Sequence, residues 1–119
     1  MTLTELLKHI QHQPGAVQFN DVMEVIASNY DYQPVGFRNG VGDNAVINHA
    51  GSNEGSCKLF AFAMLHKLDE QQTLSCFGDY YRNDVLKHPD SDNHANIRAF
   101  MRHGWSGIEF SDQALTAKS

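Results

Sequence analysis

Apolar residues recur at helical spacing from the start of the chain. Leu3, Leu6, Leu7 and Ile10 follow a T-x-x-E capping box at Thr2 and Glu5, which predicts a helix that Pro14 and Gly15 end. Phe19, Val22, Val25, Ile26 and Tyr30 repeat the stripe, with Asn20 or Asp21 as the cap and Pro34 as the limit. The period then shortens. Val35 and Phe37 alternate, Asn39-Gly40 is a turn dipeptide, and "NAVIN" reads as a second strand. We expect a hairpin near 35–48.

In "NEGSCKLFAFAMLHKL" residues 59–65 are apolar with no polar face. An amphipathic surface helix would show one, so this segment reads as a central buried helix. Asn53, Ser52 or Ser56 would start it, Cys57 would be its first buried side chain, and Lys58 and Lys67 would mark its wet ends. Asp69 and Gln72 then cap a helix whose stripe of Leu74, Phe77, Tyr81 and Val85 runs to Pro89. "DSDNHANIRAFMRHG" offers cap residues, an apolar set of Ile97, Phe100 and Met101, and a stop at Gly104. "WSGIEF" predicts a strand near 106–110, and the residues through Lys118 and Ser119 a fraying tail. The expected class is α+β: a helix-dominated single domain over 1–119 with a small antiparallel sheet.

Charge narrows the partners. The formal net charge is −5, which argues against nucleic acid and against an anionic membrane surface. The longest apolar run, Leu59 to Leu65, falls far short of the roughly 20 residues a bilayer span needs. The amino terminus lacks the apolar run of a signal peptide. The two cysteines, Cys57 and Cys76, match no zinc spacing and suit the reduced thiols of a cytosolic protein. No cofactor motif is present.

The blocks "NEGSCKLFAFAMLH", "TLSCFGDYYRNDVLKHP", "NIRAFMRHGWSGIEF" and "QALTAK", with "NYDYQPVGFRNG" upstream, are similar to the HopJ family, proteins named as type III effectors. The resemblance covers nearly the whole chain and implies one HopJ-like domain. It implies no established biochemical activity, so it transfers no catalytic residue. It also raises secretion through a type III system into a host cell. Injected effectors resemble one another in a flexible, Ser-rich leader; here a capped helix begins near Thr2 and no serine precedes Ser28. We therefore expect a resident protein of the bacterial cytoplasm.

Cys57 is the sharpest chemical candidate. A helix start can lower a thiol's pKa, but a nucleophile also needs a base within reach. At about 1.5 Å and 100° per residue, His66 sits roughly 13 Å up the same helix on the opposite face. His94 or His103 would have to be brought from elsewhere, with His49 nearer in sequence. The bland alternative is a buried core cysteine. Cys76, mid-helix, has no activating dipole. Glu54 beside Gly55 could act as an acid or base, although a helix start favours a carboxylate in any case.

"HPDSDNH" begins like a calcium loop and then fails, with His94, Ala95 and Met101 where a ligand, Gly and Glu belong. His88, Asp92 and His94 could hold a transition metal, but a turn and N-cap cluster explains them, and no metal is expected. "FRNGVGDN" lacks a phosphate-loop pattern, though Arg38, Arg98 and Arg102 could meet an anion. Tyr80 and Trp105 carry polar handles and are the aromatics best suited to a pocket. Asn53, Glu54, Tyr80 and Trp105 are thus the binding candidates, and Cys57, His94 and His103 the catalytic ones. The expected function is binding of a protein or small ligand. The alternatives are a cysteine-dependent hydrolase or transferase and a structural subunit of an oligomer.

Overall fold

The computed structural model describes residues 1–118; Ser119, the end of the expected tail, lies outside the described residues. Its helices are α1 (Leu3–His12), α2 (Phe19–Asn29), α3 (Glu54–Leu65), α4 (Glu70–Ser75) and α5 (Ala95–His103). Its strands are β1 (Tyr30–Tyr32), β2 (Phe37–Asn39), β3 (Val46–Asn48), β4 (Ile108–Phe110) and β5 (Leu115–Ala117). The strands form two antiparallel sheets, β3-β2-β4 and β1-β5. The class is α+β, dominated by helix.

Local chemistry explains the well-formed helices. Thr2 Oγ1 accepts from the Glu5 amide at 3.1 Å while Glu5 Oε1 accepts from the Thr2 amide at 3.0 Å. Behind this box Leu6 and Ile10 are buried. Asp69 and Gln72 close the same reciprocal cap on α4. α2 buries Val22, Val25 and Ile26. Phe60, Phe62 and Phe100 are the largest fully buried side chains, so α3 is the element around which the core is built.

Several expectations need correction. α2 begins at Phe19, with Gln18 in the cap position, so neither Asn20 nor Asp21 caps it. Phe19 packs on Phe77 and Tyr80, and that contact draws the chain into the helix early. The 35–48 hairpin forms, but Asn39 is a buried strand residue opposite Val46 and Ile108 rather than part of its turn. The connection is longer and includes a 3-10 turn at Gly42–Asn44.

The helix expected from Asp69 to Pro89 is broken. α4 stops at Ser75, Gly78 takes a left-handed φ of 61°, and a π-helical turn runs from Tyr80 to Val85. A Cβ on Gly78 would stand 2.9 Å from the Phe19 backbone nitrogen, so only glycine lets α2 approach here. Cys76 therefore lies in the break and is fully buried.

α3 buries Cys57 and Leu59 to Ala63, but Met64 and Leu65 are exposed where its last turn leaves the core. The tail does not fray as far as it is described. β5 pairs with β1, Tyr32 opposite Leu115, and Ala114 and Leu115 are buried. The partner strand β1 occupies what reads in sequence as the end of the second helix.

Candidate functional site

Two helices begin beside one another at a surface cleft of about 370 Å³. Asn53, Gly55 and Ser56 come from the start of α3, and His94, Asn96 and Ile97 from the start of α5. Phe19, Phe77 and Tyr80 line the rest. Asn53 and His94 both hold left-handed backbone, φ 50° and 54°, and neither helix start has a side-chain cap. The side chains that would ordinarily turn back to cap are engaged elsewhere.

His94 Nε2 lies 3.0 Å from Asp84 Oδ2, and its ring packs 5.3 Å from the Tyr80 ring. Tyr80 and Asp84 belong to the π-helical turn. Such turns are rare and often found at functional sites. Gly55 lets the Phe19 ring lie against α3, since a Cβ there would stand 3.0 Å from the ring tip. The cleft thus has an aromatic wall and a polar wall.

Behind the polar wall runs a chain of asparagines. Asn53 Nδ2 donates to Asn48 Oδ1 at 2.7 Å, and Asn48 and Asn96 exchange side-chain bonds. Asn39 Nδ2 donates to the Asn96 carbonyl and to its side-chain oxygen. This network ties β2 and β3 to both helix starts and fixes where Asn53 and Asn96 stand. Buried amides left unpaired would be costly, so the network also holds its own geometry.

The sequence candidates separate accordingly. Asn53, Tyr80 and His94 meet at the cleft. Cys57 does not line it. Its residue is 1% exposed, its Sγ donates to the Val35 carbonyl at 3.7 Å, and burial pushes its thiol up. Glu54 is exposed in the first turn of α3 and also lies outside the cleft lining. His103 ends α5 and packs against the Gly107 backbone beside the β2–β3 connection.

Trp105 lies outside the cleft lining and joins elements of the core: Nε1 donates to the Leu68 carbonyl at 3.0 Å, its backbone amide to Glu70 at 3.0 Å, and its ring meets Phe60 and Phe100. Sequence reasoning missed Asp84, Asn96 and Phe19 as site residues. Their one signal was position, since Asn96 follows a cap cluster and Asp84 stands one turn from Tyr80. Among the described residues, no group of three or more His, Cys, Asp or Glu side chains is placed to hold a metal ion. No helix among the described residues is long and apolar enough to cross a membrane.

A helix-dominated α+β fold with a cleft between two helix starts defines the class of protein. A family model described as "HopJ type III effector protein" matches residues 3–115, and the chain belongs to that family. It is also similar to a solved structure, the crystal structure of the unknown-function protein VPA0580, at 47% identity and a TM-score of 0.94, over 99% of this chain and 95% of that one. No curated protein matches the chain.

Proposed function

We propose that this HopJ-family chain works by binding a small ligand in the cleft between the starts of α3 and α5. The observation that carries the reading is convergence: Asn53, Ser56, Tyr80, His94 and Asn96 meet on one hollow of about 370 Å³. That size and mix of aromatic and polar lining suit a small molecule. A ligand with one flat apolar face and one polar edge complements the two walls. His94, oriented by Asp84, gives the site an imidazole contact.

Ligand-observed NMR with a fragment library, followed by amide shift mapping, tests this. Binders should move the amides of Asn53, Ser56, His94 and Asn96, and Tyr80→Ala should weaken them. Binders that map only elsewhere would sink the reading. The cysteine-dependent alternative finds less support, because the Cys57 thiol is buried and bonded to a backbone carbonyl.

Membership of a type III effector family supports secretion into a host cell as the setting. A secretion reporter fused to the first helix distinguishes this from residence in the bacterial cytoplasm. Transport that is lost when these residues are removed would favour secretion.

A further inference from the structure

A second cavity, about 270 Å³, lies between the chain after the π-helical turn and one face of α5. Leu86, Pro89 and Ser91 border it on one side, and Arg98, Met101 and Arg102 on the other. Arg98 is only 9% exposed, which is uncommon for arginine. Its Nε donates to the Asn93 carbonyl at 2.6 Å, and its Nη2 to the His88 carbonyl at 3.0 Å and to Asn93 Oδ1 at 2.8 Å. Its Nη1 reaches the Pro89 carbonyl at 3.3 Å. A guanidinium has five N–H donors, so one on Nη1 has no partner among the described residues.

No carboxylate of the described residues lies within 4.0 Å of this guanidinium. Among the described residues, carbonyl oxygens and no carboxylate face this charge, so the guanidinium keeps its charge free for an anion in the cavity. Arg102 follows one turn later on the same helix face, exposed and without an ion-pair partner among the described residues. Arg82 clamps the carbonyls of Pro14, Val17 and Ser75 in a comparable way, so clamping by itself is a structural device. What carries the inference at Arg98 is the adjoining cavity and the second arginine.

The rest of the lining selects among anions. Leu86 and Met101, 48% and 44% exposed, offer apolar surface beside the two cations. Asp90 and Asp92 flank Ser91 in sequence without lining the cavity, and what repulsion reaches it from them grows with the charge of the ligand. That disfavours a doubly charged phosphate. We propose that the cavity binds a small apolar monocarboxylate, its carboxylate on Arg102 and the free N–H of Arg98, its hydrocarbon on Leu86 and Met101. The inference does not rest on the first cleft.

The test is an amide-shift titration of the isotopically labelled protein with hexanoate, with hexanol, acetate and inorganic phosphate as comparison probes. Hexanoate should give saturable shifts centred on Ser91, Met101 and Arg102, while hexanol and acetate bind more weakly. Arg102→Gln lies on the surface, and its own spectrum reports whether the fold is kept. It should weaken hexanoate about tenfold, with partial recovery in Arg102→Lys. Hexanol binding as tightly, phosphate binding more tightly, an unchanged affinity in Arg102→Gln, shifts mapping elsewhere, or no saturable shift would each overturn the proposal.

Discussion

Asn48 and Asn96 exchange side-chain hydrogen bonds in both directions, 3.0 Å from Asn48 to Asn96 and 2.9 Å back. Both residues are buried, at 2% and 6% exposure. The pair joins the end of β3 to the first turn of α5 and sets the polar wall of the cleft. Replacing Asn48 leaves Asn96 Nδ2 without its acceptor, whereas Asn48 without Asn96 keeps Asn53 on its Oδ1 and longer bonds from its Nδ2 to the Phe37 and Val46 carbonyls. Asn48→Ala should cost about 2–4 kcal/mol, since it removes the partners of Asn96 Nδ2 and Asn53 Nδ2 together, and Asn96→Ala about 1–3 kcal/mol, since Asn39 and Asn48 keep other partners. The double variant should cost clearly less than the sum, because the second change removes a group already stranded. Urea unfolding of the four proteins measures this; additive losses would mean that the two side chains act independently.

Gly78 supplies a second prediction. Its left-handed backbone and the 2.9 Å approach to Phe19 penalise any side chain. Gly78→Ala should destabilise by about 1–3 kcal/mol. Gly15→Ala is the natural control, since a Cβ there meets nothing within 4 Å and its φ is not in the left-handed range. Thermal unfolding should separate the two variants. Similar melting temperatures would show that the break after α4 can relax to take a Cβ.

The same glycine shows how far the sequence is readable. Capping boxes and apolar stripes identify α1, α4 and the buried face of α3, because caps and periodicity are local physics. The hairpin and β4 are legible from alternation. The break at Gly78 is not, because Leu74, Phe77, Tyr81 and Val85 keep a helical stripe across it and only the approach of α2 demands the turn. β5 is invisible for a related reason: Leu115 becomes a strand residue only by pairing with Tyr32. At the site, Asn53, Tyr80 and His94 could be named individually. Their meeting depends on the asparagine network, whose members lie too far apart in sequence for any local pattern to show.

His66 makes folding sensitive to mild acid. Its Nε2 lies within hydrogen-bond distance of the Tyr30 hydroxyl, at 2.6 Å, and burial holds its pKa below the ordinary value of 6.5. As pH falls through 6.5 the unfolded chain takes up a proton that the folded chain resists. The stabilising contribution is therefore complete above 6.5 and is lost as pH drops toward the folded value. Unfolding free energy measured in urea should decline below about pH 6.5, by this linkage. His66→Gln, which keeps a hydrogen-bonding group near Tyr30, should flatten that decline. Identical pH profiles would assign the acid sensitivity to other groups.

The two thiols distinguish packing from chemistry. Burial pushes Cys76 up to about 12 and also raises Cys57, whose Sγ is already bonded to the Val35 carbonyl. A nucleophile at a helix start needs the opposite shift, since the thiolate is the reactive form. In the native protein both cysteines should resist iodoacetamide at neutral pH and react fully once urea unfolds the chain. Mass mapping of each site against pH makes the comparison. Rapid native labelling of Cys57 below pH 7 would mean that the thiolate is stabilised despite its burial, and would restore the hydrolase reading with His94 or His103 as its base. Slow labelling that tracks global unfolding would leave Cys57 as the first core residue of α3, with Asn53 and Ser56 facing the cleft just before it.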